Sequence, residues 1–240
     1  MSAICDKLIL ALDVPEHDYA LEIVDKFSDC IDIFKVGLEL FTSCGPRIVE
    51  DIVKRDKKVF LDLKFHDIPN TVSKAAIAAA RLGVHMFNVH ASGGLEMMRR
   101  CRENIVKTCL KENLDRPRIL GVTVLTSLTR EVLRDELGIQ YGLKTHIRHL
   151  SALSLKAGLD GVVSSAREVE IIRNHCGRGF LIVTPGIRPS WTPPDDQRRT
   201  MTPKEAIRAG ADYLVIGRAV LQQPDPLKAI ELVSLEILSA

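Results

Sequence analysis

The chain has 240 residues, with 33 Lys and Arg against 31 Asp and Glu, a formal charge of +2. That balance creates no global field for nucleic acid or an acidic membrane surface, so an anionic ligand has to be met by a local site. With 46% apolar and 27% charged residues and no biased tract, the composition is that of an ordinary globular chain.

The first apolar run, Leu8 to Leu12, is closed by Asp13. It is too short to span a bilayer and lacks a small-residue cleavage pattern, so neither export nor anchoring is expected, and a cytoplasmic location is. Extended to Val14, it is the first of eight strand-length segments. The others are Ile33–Leu38, Val59–Lys64, Met86–His90, Ile119–Leu125, Gly161–Ser164, Leu181–Thr184 and Tyr213–Ile216. They read as near-continuous apolar stretches, the pattern of parallel strands covered on both sides.

Helix signals fall between them. Ser73–Leu82 is rich in alanine and stops at Gly83. The longest connection, Thr126 to Asp160, predicts two helices, around Arg130–Leu137 and Thr145–Ala157. Ser165 and Glu168 have capping-box spacing and predict a helix ending near Gly177. Thr202 and Glu205 form a second such pair, with Pro203 at the first helical position and Gly210 beyond the end. Asp225 and Pro226 open the last helix, where Leu227, Ile230, Leu232 and Leu235 lie on or near one face.

Strands alternating with helices imply a parallel sheet, and about eight such units close a barrel. The length, near the ~250 residues typical of that fold, agrees, so residues 1–240 are expected to form one (β/α)8 TIM-barrel domain. An open doubly wound sheet is the runner-up, but no G-x-G-x-x-G follows the first strand. The six cysteines are scattered, with no C-x-x-C and no zinc spacing, so they are read as reduced thiols and no metal site is expected.

Barrel active sites lie at the C-terminal ends of the strands, so polar residues there are the ones to inspect. Strand one ends in Asp13, and strand two holds Lys35 between Phe34 and Val36. Along strand three, residues two apart point the same way: Asp62 and Lys64 share one face, and Leu61, Leu63 and Phe65 share the other. If the apolar set packs under the helices, the charged pair enters the barrel mouth, at a cost of several kcal/mol per ion before pairing. A solvated salt bridge, worth ~0–1 kcal/mol, is the bland reading of the pair alone. It weakens with Lys35 next door and Asp67 just after, since three or four charges are then expected to converge.

Strand seven leads into Pro185-Gly186-Ile187-Arg188-Pro189, and strand eight into Gly217-Arg218-Ala219. Loops there commonly form a phosphate site from backbone N–H groups and the start of a short helix. Gly217 permits close backbone approach, and Arg218 offers a forked donor to phosphate oxygens. The polar segment between Arg188 and Thr202 has the length of a lid or binding loop.

These segments closely resemble orotidine 5′-monophosphate decarboxylases of the bacterial single-domain type. The resemblance runs from Leu8–Asp13 through Phe34–Gly37 and Phe60–Thr71, then Gly121–Ser127, Val183–Pro189 and Ala211–Arg218. The Asp62-x-Lys64-x-x-Asp67-Ile-Pro-Asn-Thr71 run is its most specific part. It implies a cofactor-free conversion of orotidine 5′-monophosphate to UMP and CO2, with Lys35, Asp62, Lys64 and Asp67 as an alternating charge array. Asp67 and Thr71 would reach in from the second subunit of a homodimer. Asp13 and Lys35 would contact the ribose, and Thr126 the pyrimidine amide. Arg188, Gln197, Gly217 and Arg218 would hold the phosphate under the Pro189–Thr200 loop. The alternatives are a metal-dependent sugar-phosphate decarboxylase or aldolase on the same barrel, and a non-catalytic phosphate sensor. In the first, an acidic ligand is expected where Lys35 stands; in the second, a costly charge array has no use.

Overall fold

The computed structural model describes residues 6–192 and 200–240. Eight parallel strands close into a barrel in sequence order, the last pairing back onto the first. They are β1 Leu8–Leu12, β2 Ile33–Gly37, β3 Lys58–Phe65, β4 Met86–His90, β5 Arg118–Val122, β6 Gly161–Val163, β7 Leu181–Thr184 and β8 Tyr213–Ile216. Outside them run α1 His17–Phe27, α2 Leu38–Cys44, α3 Arg47–Val53, α4 Pro69–Arg81, α5 Gly94–Glu112, α6 Leu143–Lys156, α7 Val169–Cys176, α8 Pro203–Ala209, α9 Arg218–Leu221 and α10 Pro226–Leu238. The expected (β/α)8 barrel is the observed one, and β4, β7 and β8 coincide with their sequence-derived limits. None of the described helices is long and apolar enough to cross a membrane.

Period-two alternation inside a closed barrel sorts the strand residues into two cores. Leu8, Leu10, Leu12, Phe34, Val36, Val59, Leu61, Phe87 and Val89 pack outward under the helices. Ile9, Ala11, Ile33, Phe60, Met86, Leu120, Val122, Val163, Val183 and Val215 fill the interior. Both faces are apolar because each meets a different core, which is why the strands read as unbroken hydrophobic runs.

The inward row turns polar at both ends. At the N-terminal end, the Arg118 guanidinium donates to the Tyr213 hydroxyl and sits 5.8 Å from that ring's centroid. Lys58 Nζ donates to Asp32 at 2.7 Å nearby. This ionic layer floors the barrel. At the other end the polar residues include Lys35, Asp62 and Asn88, which build the site.

Side-chain caps open two of the ten described α-helices, α8 and α10. Thr202 Oγ1 accepts from Glu205 N–H at 3.2 Å while Glu205 Oε2 accepts from Thr202 N–H at 2.9 Å, the reciprocal box the spacing predicts. Asp225 caps α10 by accepting from Lys228 N–H at 3.1 Å. Helix α4 starts four residues before its alanine-rich part, because Pro69 at the first helical position sacrifices no intrahelical bond.

Two expectations need correction. Ser165 does cap, but its Oγ accepts from Arg167 N–H at 3.4 Å, so the first turn, Ala166–Glu168, is a 3-10 turn and α7 begins only at Val169. The helix expected around Arg130–Leu137 is present over residues 130–136, but Val132–Glu136 is wound as a π-helix rather than an α-helix. Leu133 is buried there and Leu137 exposed, so no continuous apolar face sustains a longer α-helix.

Candidate active site

The inward alternation places charge on top of the interior core. Beyond Ile9 and Ala11, β1 leads to Asp13; Lys35 stands above Ile33, and Asp62 above Phe60. These residues, with Lys64, line a cavity of about 240 Å³ at the C-terminal mouth. Lys35 Nζ lies 2.8 Å from Asp13 Oδ1 and 3.7 Å from Asp62 Oδ2, and Lys64 Nζ lies 2.8 Å from Asp62 Oδ1. Four side chains thus alternate in sign, Asp13, Lys35, Asp62, Lys64. The Lys35 side chain is only 10% exposed, so its charge is held by carboxylates rather than by water.

Backbone detail makes room for this row. A Cβ on Gly37 would stand 2.9 Å from Lys35 Nζ, so the glycine clears the space the ammonium fills. Lys64 has φ +52°, a left-handed conformation that costs an ordinary L-residue ~1–2 kcal/mol. It follows a break in the β3–β4 ladder: Leu61 pairs with Phe87 and Phe65 with Val89, so three residues of β3 face Asn88 alone. Leu63 and Phe65 still pack outward, so the shared face of Asp62 and Lys64 survives the bulge.

His90, at the end of β4, is half-buried, and its ring centroid lies 5.3 Å from that of His66. Burial, then the charges of His66 and Lys64, push its pKa down and favour the neutral ring.

Across the barrel from β3, Gly186, Arg188, Gly217 and Arg218 line the same cavity. Gly186 takes φ +79°, open to glycine at no steric cost. A Cβ on Gly217 would come 3.1 Å from Ala11 Cβ, so the turn into α9 sits tightly on β1. The loop after β7 is pinned at both ends: Ile187 bridges Met201, and Arg188 N–H donates to Met201 O at 3.0 Å. Ser190 N–H and Oγ both donate to Glu236 on α10 at 2.9 Å. Among the described residues, no group of three or more His, Cys, Asp and Glu is placed to hold a metal ion.

The family model for orotidine 5′-phosphate decarboxylases and the HUMPS proteins matches residues 6–233. The chain belongs to that family. The orotidine 5′-phosphate decarboxylase of Geobacter metallireducens is 50% identical over 234 residues, covering 98% of this chain and 97% of its own. The Legionella pneumophila protein of the same name is 52% identical over 224 residues, covering 93% and 96%. Among solved structures, an orotidine 5′-phosphate decarboxylase from Lactobacillus acidophilus superposes with TM-score 0.84 at 34% identity, over 97% of this chain and 99% of that one. An uncharacterized conserved protein from Geobacillus kaustophilus gives 0.83 at 38% identity, over 96% and 99%.

On this family's barrel, the structure brings together Asp13, Lys35, Asp62, Lys64, Thr126, Arg188, Gly217 and Arg218 around one cavity. It does not bring Asp67 into that mouth within a chain, which corrects the expected convergence. The chain turns at Ile68 and Pro69 into α4, leaving Asp67 and Thr71 exposed, with Asp67 Oδ1 accepting from Ile68 N–H at 2.6 Å. Asp13 completes the local row instead. Gln197, with Pro193 and Pro194 of the same loop, lies outside the described residues. Sequence reading missed Asn88, Ser164 and Ser165, and the apolar wall of Phe60, Val122, Val163 and Val215. Asn88 had a signal: it is the polar residue at an inward position of an otherwise apolar Met-Phe-Asn-Val stretch.

Proposed function

We propose that this chain converts orotidine 5′-monophosphate to UMP and CO2, the last step of de novo pyrimidine nucleotide synthesis. The observation that carries this reading is the row Asp13–Lys35–Asp62–Lys64, with Lys64 at its end and open to the cavity. When the C6–carboxylate bond breaks, its electron pair stays on C6 in an orbital the ring π-system cannot delocalise. A fixed ammonium offsets that charge: at ~4 Å and an effective dielectric of 20, two unit charges interact by about 4 kcal/mol. Lys64 Nζ then gives its proton to C6 and regains one from solvent. Asp62 faces the departing carboxylate, while Lys35 holds Asp62 and Asp13 in place.

The other roles are those that the resemblance to the family implies. Asp13 and Lys35 meet the ribose hydroxyls, Thr126 the pyrimidine amide, and Arg188, Gly217, Arg218 and Gln197 the phosphate. One ion pair falls well short of the ~20 kcal/mol that the most strongly accelerating enzymes supply, so the phosphate grip and loop closure contribute to organising the charges. Asp67 and Thr71, exposed in their own chain, complete the site of the second subunit in a homodimer. A cytoplasmic setting suits the five described cysteines, none of which is in a disulfide.

Loss of orotidine 5′-monophosphate absorbance on adding purified protein, unchanged in EDTA, is the expected result. Loss of all turnover in EDTA would favour a metal-dependent sugar-phosphate decarboxylase or aldolase, although the ammonium of Lys35 between two carboxylates repels a metal ion at that position. No consumption of the nucleotide would overturn the reading.

A further inference from the structure

Asn88 is fully buried beneath the charged row, and its carboxamide makes two bonds, one as donor and one as acceptor. Nδ2 donates to Asp62 Oδ1 at 2.6 Å, and Oδ1 accepts from the Lys64 backbone N–H at 2.8 Å. The partners fix the amide's orientation: an ionised carboxylate only accepts and a backbone N–H only donates. The bonds also lie where the β3–β4 ladder is missing, between the Leu61–Phe87 and Phe65–Val89 pairs. A side chain therefore stands in for main-chain pairing at the residue forced to φ +52°.

We propose that Asn88 is a positioning residue for the decarboxylation, holding the left-handed Lys64 backbone and the Asp62 carboxylate in one rigid unit so that the ammonium is aimed at the reacting carbon. This rests on the roles given above to Lys64 and Asp62. Leucine at this position would satisfy neither partner, aspartate could not donate to Asp62 while ionised, and glutamine is a methylene too long for a site with no exposure. Of these, asparagine alone has the length and the two-sided polarity. It is fully buried and does not line the cavity, so its loss falls on the chemical step rather than on binding.

Steady-state kinetics of Asn88→Ala and Asn88→Asp on orotidine 5′-monophosphate test this. For Asn88→Ala, kcat falls about a hundredfold, the scale of a 1 Å misplacement, while KM stays within about threefold. Asn88→Asp keeps the shape, and puts two carboxylates at hydrogen-bond distance, where they share one proton. The protonated form donates to Asp62 as the amide did. Its kcat is therefore highest at low pH and falls as pH rises through that shared proton, a limb added to the unaltered protein's own profile. The charged and titratable groups facing this point are Asp62 and Lys64 from β3, Lys35 from β2, Asp13 after β1 and His90 from β4, while β5 presents only Leu120. If Asn88→Ala does not fold, the isosteric Asn88→Asp decides alone. Asn88→Ala retaining kcat within twofold, or Asn88→Asp following the unaltered protein's pH profile, overturns the role of Asn88. No turnover by the unaltered protein would instead overturn the reading of the whole site, and this inference with it.

Discussion

Lys64, to which the proposal assigns the chemistry, also has a left-handed backbone, and replacing it by alanine and by glycine separates the two. Both substitutions remove the 2.8 Å contact with Asp62, so that loss cancels between them. What differs is the backbone at φ +52°. Alanine keeps the left-handed penalty of ~1–2 kcal/mol, whereas glycine escapes it and loses ~0.5–1 kcal/mol through its extra freedom when unfolded. Lys64→Gly is therefore the more stable variant by roughly 0.5–1 kcal/mol, the reverse of the usual order in a strand. For a chain of this size that is a Tm difference of about 1–4 °C. Both variants lose kcat by about a thousandfold or more, from the ~4 kcal/mol that one fixed charge supplies. Urea and thermal melts read the first effect, and orotidine 5′-monophosphate turnover the second. Lys64→Ala matching or exceeding Lys64→Gly in stability would refute the strained backbone, and near-normal turnover by either would remove Lys64 from the chemistry.

Arg218→Ala lowers kcat/KM about 10–100-fold, the worth of hydrogen bonds to a charged group; an unchanged value would put the phosphate elsewhere. Mixing inactive Lys64→Ala and Asp67→Ala chains restores one intact site per mixed dimer, so statistical exchange returns roughly a quarter of wild-type activity. No recovery after confirmed exchange would show that Asp67 does not cross between subunits. Burial, with help from Arg118 and Lys58, pushes the His85 pKa down to about 4, from the ordinary 6.5 of an exposed imidazole. The unfolded chain therefore binds the proton first, and stability present above pH ~6.5 is lost as pH falls toward 4. His85→Gln gains stability relative to the unaltered protein between pH 7 and 4.5 in urea melts, and a difference constant with pH would refute this.

The third strand shows how far sequence reading reaches. Period-two alternation correctly set Asp62 and Lys64 against Leu61, Leu63 and Phe65, because the two barrel cores impose it. It could not show the bulge, since the two residues that β3 has in excess of β4 are visible only once the strands are paired. Asn88 escaped for the same reason: its partners lie 24 and 26 residues away on the neighbouring strand. Proximity in sequence brought Asp67, three residues from Lys64, into the expected convergence of charges, but within one chain the turn at Pro69 carries it away from the mouth. Gly37 looks like an ordinary strand end, and only the position of Lys35 Nζ reveals what it clears. The Ser165 spacing was sound for a cap, yet a spacing alone does not distinguish a 3-10 turn from an α-helix.

The ionic layer of Arg118, Tyr213, Lys58 and Asp32 beneath a solid apolar plug makes the barrel a cup with one rim. Entry of the nucleotide and exit of both products share that rim. Gas and nucleotide therefore leave by the same door, and whatever hinders opening at the rim delays every product at once, however fast the bond between C6 and its carboxylate is broken.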